Sequence, residues 1–154
     1  MSINLSSPVT GAAITGLTSP TYTVVTDSVP GVTKSWYVAA LGGTQTGVTA
    51  HSIASPFTIS WKNPVSLVSP GVVDASGVLR SPIRRNRYEL IVRKGGVPVS
   101  GQAARLSVVR VQFEVEAGVE THDPSQILAM LSAAFGATTQ LLPGIKDTLT
   151  TGAA

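Results

Sequence analysis

Apolar and polar residues alternate with a period of two along much of this chain. Between Arg85 and Arg93 most odd-numbered positions are charged, whereas most even-numbered positions are apolar or aromatic. Between Ser107 and Glu116 the order is reversed, and the odd-numbered positions are the apolar ones. Since successive side chains of a strand point to opposite faces, the pattern predicts two long strands. A glycine- and proline-containing link, residues 95–101, joins them.

Shorter strands are predicted earlier in the chain. Alternating pieces at residues 3–9, 12–17 and 21–26 predict an N-terminal hairpin, and a Pro30-Gly31 turn precedes a strand at 34–41. We interpret residues 42–47 as a glycine-rich connection and residues 65–81 as a hairpin or long loop. In the strand at 56–62, one face carries Phe57, Ile59 and Trp61, and the other carries Thr58, Ser60 and Lys62.

Helical signals follow residue 116. Asp123 is placed to act as N-cap, Pro124 is the first helical residue, and Gln126 is placed to close a capping box. An apolar stripe follows, with Gly136 as the expected end. A second short helix is expected at 138–142, stopped by Pro143, and residues 145–154 are expected to form a polar tail.

These elements predict an α+β fold, in which an N-terminal hairpin and an antiparallel sheet precede two C-terminal helices. We expect one domain, 1–154, with the sheet region at 1–116 and the helical region at 123–154. One helix of about twelve residues cannot cover a sheet of five or six strands, which favours a dimer with helices of one subunit over the sheet of the other. The largest apolar side chains are expected in the core or at that interface: Trp36, Phe57, Trp61, Phe113, Met130 and Phe135.

Composition supports cover by other copies. Charged residues make up 12% of the 154 residues, against about a quarter in typical soluble domains. Surface that lacks charge is expected to lie against copies of the same chain.

Positive charge is concentrated in one region. Of the eleven Lys and Arg residues, eight lie between residues 80 and 110: Arg80, Arg84, Arg85, Arg87, Arg93, Lys94, Arg105 and Arg110. A basic surface on strands is typical of proteins that bind a polyanion. A solvated strand face is the alternative for any single arginine, and cross-strand pairing of Arg110 with Glu114 or Glu116 is a further one.

Several chemistries are disfavoured. The chain has no cysteine, which excludes disulfides and thiolate metal sites. Residues 42–47 lack the Lys-Ser/Thr of a P-loop, His51 and His122 have no partners at ligand spacing, and no nucleophile elbow is present. We therefore expect no enzyme activity, no metal and no cofactor.

The N-terminus lacks signal-peptide features and no uninterrupted apolar run approaches the ~18 residues of a membrane span, so we expect a cytoplasmic protein without a membrane partner.

Short strings and the order of elements resemble the coat proteins of single-stranded RNA bacteriophages, the levivirus group. The strings run from Gly42-Gly43-Thr44-Gln45 through His51-Ser52 to Pro56-Phe57-Thr58, from Arg85-Asn86-Arg87-Tyr88 to Val92-Arg93-Lys94-Gly95, and over Val115-Glu116-Ala117-Gly118 before the capped helix.

The resemblance implies a structural protein that forms an intertwined homodimer and assembles into a small quasi-equivalent icosahedral shell around single-stranded RNA. It also implies assembly in the bacterial host, residence in the virion, and possible binding of an RNA hairpin that represses translation. The implied RNA-facing residues are Thr58, Ser60, Lys62, Arg85, Arg87, Glu89, Arg93, Arg110 and Gln112, together with Glu114. The implied contact loop between dimers is Gly95, Gly96, Val97, Pro98, Val99, Ser100 and Gly101, extending to Ala104.

Arginines attract phosphates with little regard to sequence, whereas specific RNA recognition uses stacking of unpaired bases. Because Tyr88 has the wrong parity and no other aromatic residue is assigned to the polar face, we expect strong RNA packaging with modest sequence preference. The alternative functions are a free dimeric repressor that binds RNA without assembling and, less favoured, a β-rich tail or fibre component.

Overall fold

A computed structural model describes residues 3–79 and 84–152, so the N-terminal dipeptide, Arg80 with the three residues after it, and the last two residues lie outside the described residues. The fold is a six-stranded antiparallel sheet followed by a helical region, which confirms the expected α+β class. The strands follow chain order in the sheet: β1 (Val9–Thr10), β2 (Leu17–Asp27), β3 (Lys34–Gln45), β4 (Phe57–Lys62), β5 (Arg85–Gly96) and β6 (Arg105–Glu116).

The chain packs into two compact units, Met1–Lys62 with Glu89–Val111 and Asn63–Tyr88 with Gln112–Ala154. Each unit is described by itself, and the expected single domain stays a prediction.

The N-terminal hairpin is present but unequal. Strand β1 has only two residues, with Val9 opposite Tyr22, while β2 has eleven. The apolar side chains of this hairpin join a core in which Val24, Trp36 and Val38 are buried. Phe57, Ile59 and Trp61 of β4 pack against this core, as the alternation of β4 predicts.

The prediction of a connection at residues 42–47 was wrong, because β3 continues as a strand to Gln45. A side chain at Gly43 would collide with the backbone carbonyl of Ser19, and Gly43 has φ 73°. The register of β2 and β3 shifts at this place, where β2 bulges around Pro20. The glycines thus permit two strands to approach closely, because a glycine has no side chain to keep the neighbouring backbone away.

The C-terminal region consists of α1 (Val119–His122) and α2 (Pro124–Thr151). Asp123 and Pro124 do begin the long helix, but Asp123 makes no side-chain capping bond, so the predicted capping box is not formed. The predicted ends at Gly136 and Pro143 were also wrong, since α2 continues through both and ends at Gly152 with φ 74°.

Threonine hydroxyls accompany this longer helix. Thr138, Thr139 and Thr151 each donate to the carbonyl four residues earlier, so the segment that was expected to be a tail is helical to residue 151. None of the residues of α2 is buried. By length and composition α2 is also long and apolar enough to cross a membrane.

Asn86 organises the segment after β4. It is 1% exposed, its Oδ1 accepts from the Val68 amide at 2.8 Å, and its Nδ2 donates to the Val68 carbonyl at 3.3 Å and to Glu120 Oε1 at 3.2 Å. Asn86 therefore fixes residues around 68 by hydrogen bonds instead of by apolar burial.

Candidate nucleic-acid interface

The strand register shows which residues share the polar face of the sheet. Thr58 lies opposite Arg93, and Lys62 lies opposite Glu89. Directly opposed residues of antiparallel strands project to the same side. Thr58, Lys62, Glu89 and Arg93 therefore lie on one face, in agreement with the predicted grouping.

A first group of charges, within the unit that contains β4, centres on Glu89. Lys62 Nζ lies 4.0 Å from Glu89 Oε2, and Arg110 Nε lies 3.5 Å from Glu89 Oε1. Arg93 has no carboxylate within salt-bridge distance among residues 3–79 and 84–152, and its Nη1 donates only to Ser60 Oγ at 3.5 Å. With three cations and one carboxylate, this group keeps two positive charges.

Ser60 is buried and contacts the neighbouring Arg93 side chain. Its residue exposure is 1%, and its hydroxyl is 3.3 Å from the hydroxyl of Ser35, which is equally buried. Of the predicted contact residues, Ser60 is therefore placed to orient Arg93 from below.

A second group, within the unit that contains Asn86, centres on Glu114. Arg87 donates to Glu114 Oε1 through Nε at 3.1 Å and Nη2 at 2.7 Å, Arg85 Nη1 lies 3.4 Å from Oε2, and Gln112 Nε2 donates at 2.8 Å. The hydrogen bond from Arg87 is the main reason that the pKa of Glu114 lies below its ordinary value. Two arginines and one carboxylate leave this group one positive charge.

The ion pairs differ from the alternative raised by the sequence. Glu114 binds Arg85 and Arg87, while Arg110 binds Glu89. Glu116 is exposed and forms no ion pair with any cation that the structure describes. Cross-strand register, which sequence parity does not supply, decides these partners.

Lys94 belongs to the opposite face, where it lies across from Phe57. Its Nζ donates to Thr49 Oγ1 at 3.0 Å and Ser55 Oγ at 3.1 Å, and it lies 5.4 Å from the centre of the Phe57 ring. Burial lowers the pKa of this ammonium. Lys94 therefore stabilises the segment before β4.

The predicted contact loop begins later than expected. Gly95 and Gly96 belong to β5, and a side chain at Gly95 would meet the backbone of Ser55. The residues between β5 and β6 are 97–104, where Val97 and Val99 are exposed. An exposed apolar loop is suited to contacts with other copies.

One aromatic residue of the polar face, Tyr37, was not predicted from the sequence. Tyr37 lies opposite Thr58, and Thr58 lies opposite Arg93, so the expectation that this face has no aromatic side chain was wrong. The alternation of β3 did separate Tyr37 from Trp36, but only the pairing with β4 identifies the face. The ring of Tyr37 lies 5.3 Å from that of His51.

Two apolar surfaces have no cover within the described chain. Strand β6 is a sheet edge of twelve residues, and Val109 on it is 62% exposed. Helix α2 exposes Leu128, Met130, Phe135, Leu141, Ile145 and Leu149. Phe113 and Phe135, both assigned to the core or interface, lie with ring centres 5.9 Å apart.

Among the described residues, no group of three or more His, Asp or Glu side chains could hold a metal ion. The polar face carries arginine, lysine, hydroxyl and aromatic groups, which can bind phosphates and bases, together with the carboxylates of Glu89 and Glu114.

No protein-family model and no curated protein matches the chain. A solved structure does match it, described as the virus-like particle of bacteriophage ESE020. The two are 45% identical, the match covers 99% of this chain and 100% of the other, and the TM-score is 0.92.

Proposed function

The chain belongs to the capsid-protein family of the bacteriophage ESE020 virus-like particle, and we propose that it builds its shell from homodimers that enclose single-stranded RNA. A capsid subunit is a structural protein, and its place is the virion. The observation that carries the assignment is the full-length match to a chain that forms a particle.

The homodimer is supported by the two uncovered surfaces. A long unpaired edge strand is a ready template for another strand, and β6 pairing with the same strand of a second copy closes the edge with two-fold symmetry. The apolar residues of α2 are then available to cover the second copy. Protein cover of this kind also accounts for a helix whose apolar length alone would suit a membrane.

RNA as the enclosed partner is supported by the two charge groups. Each keeps excess positive charge, and Arg93 has no carboxylate within salt-bridge distance in the described part of the chain. Such surfaces neutralise phosphates with release of counterions.

The same proposal has three finer parts: a levivirus-like icosahedral shell, assembly in the host cytoplasm and repression through an RNA hairpin. A free dimeric repressor is the alternative, and the similarity to a particle protein favours the shell.

Expression in bacteria tests both parts. We expect electron microscopy to show uniform round particles, and the ratio of absorbance at 260 and 280 nm to show nuclease-protected RNA inside them. The Arg85→Ser, Arg87→Ser, Arg93→Ser triple variant should keep its dimer and lose most of that RNA.

A matched control removes three charges from other places, with Arg84→Ser, Arg105→Ser and Lys146→Ser. Equal RNA loss in both triple variants would contradict the assigned face, because only total charge would then matter. Soluble dimers that carry RNA without particles would support the repressor instead.

A further inference from the structure

Tyr37 and His51 form an aromatic pair on the polar face. Their ring centres are 5.3 Å apart with an angle of 46° between the planes. Tyr37 lies across from Thr58, which lies across from Arg93. One continuous row of neighbouring strands thus brings to the same side an aromatic pair, a hydroxyl and the guanidinium of Arg93, which has no carboxylate partner among the described residues.

His51 is fixed in place by both backbone and side chain. Its amide donates to the Val38 carbonyl at 2.8 Å, and its Nδ1 accepts from the Phe57 amide at 3.0 Å. A ring nitrogen that accepts a hydrogen bond carries no proton, so the proton of the neutral imidazole lies on Nε2. Nε2–H has no partner within the described chain and is free to donate.

The other groups of this row are also free. The hydroxyls of Tyr37 and Thr58 have no hydrogen-bond partner among the described residues, and both side chains are half-buried. Val25, opposite Tyr37 on β2, is 41% exposed, so this part of the face is open. Half-buried aromatic rings with unused polar groups are suited to a flat ligand that has polar edges.

We propose that Tyr37 and His51 are a stacking site for an unpaired base of single-stranded RNA, with Arg93 binding an adjoining phosphate. This inference rests on the proposed function. Unpaired bases stack on aromatic side chains and form hydrogen bonds through their edges. His51 Nε2–H can donate to an acceptor on the edge of the base, while the hydroxyl of Thr58 serves as donor or acceptor. The site therefore adds base-dependent affinity to the phosphate contacts.

The test compares two labelled strands of ten nucleotides, one of ordinary RNA and one of abasic ribose phosphate. Their binding to full-length protein, released from particles and freed of RNA, is measured by fluorescence anisotropy. Wild type should bind the ordinary strand about 5- to 150-fold more tightly, the range expected for stacking of one base. Tyr37→Leu should remove that difference without weakening the binding of the abasic strand. Tyr37→Phe, which keeps the ring, should retain most of it.

A second readout needs no variant. Ultraviolet irradiation of intact wild-type particles, followed by mass spectrometry, should find nucleotide adducts on the peptides that contain Tyr37 or His51. The stacking site is refuted if wild type binds both strands equally and neither peptide carries an adduct. If Arg93→Ser also weakens the binding of both strands in that case, the RNA proposal stands. If wild type binds neither strand, both proposals fail.

Discussion

Glu114 limits the positive charge that its neighbours can offer to RNA. It binds Arg87 through two hydrogen bonds and lies 3.4 Å from Arg85. Because its pKa lies below the ordinary value, mainly through Arg87, the carboxylate is ionised at neutral pH. Glu114→Gln raises the net charge of +3 by one and releases both guanidinium groups.

The size of the effect follows from counterion release. Each further phosphate neutralised on a single strand steepens the dependence of log K on log salt by about 0.7. One or two released arginines therefore steepen it by about 0.7 to 1.4, so a tenfold decrease in salt strengthens binding by about 5 to 25 times more than in wild type. Exposed ion pairs contribute little to folding, and the melting temperature should change little.

The assay is anisotropy titration of a ten-nucleotide RNA at four or more salt concentrations. Glu116→Gln is the matched control, because it makes the same charge change on the same strand but releases no arginine. An equal change of slope in both variants would refute the argument that pairing with Glu114 withholds Arg85 and Arg87. Unchanged binding in both would show that RNA does not contact this group.

Two stability predictions follow from buried contacts, each measured by urea denaturation. Asn86 is buried, and Asn86→Leu removes its hydrogen bonds to the half-buried amide and carbonyl of Val68. This change should lower the free energy of unfolding by about 2 to 5 kcal/mol. A loss below about 1 kcal/mol would mean that water replaces these bonds. Gly43→Ala should lower the free energy of unfolding by about 3 kcal/mol or more, because the new side chain collides with the Ser19 carbonyl. Gly47 also has positive φ but open space around it, so Gly47→Ala should lower it by only about 1 kcal/mol. Equal losses in the two variants would contradict the close approach of β2 and β3.

Parity along a strand was readable from the sequence because it is a local property of extended backbone. The alternation of β4 and β5 correctly separated Thr58 and Lys62 from Phe57, and Arg93 from Val92. The start of α2 at Pro124 was likewise readable, because proline at the first turn is a local signal. The short strings that resemble phage coat proteins led to the capsid assignment, which the full-length structural match supports.

The length of α2 could not be read in the same way. Gly136 and Pro143 are local stop signals, yet the helix continues past both. Helix propensity is a weak determinant compared with the packing of an apolar face. The proposed second copy supplies that packing, and a single sequence does not display it.

The sequence by itself determined the strand faces, the concentration of arginine and the absence of thiol chemistry. Only the tertiary structure decided that Tyr37 shares a face with Arg93, that Glu114 binds Arg85 and Arg87, and that Gly43 lies against β2. These facts depend on which residues of separate strands lie opposite one another. Register between strands is set by non-local pairing and bulges, and a shift of one residue would have moved Tyr37 to the other face.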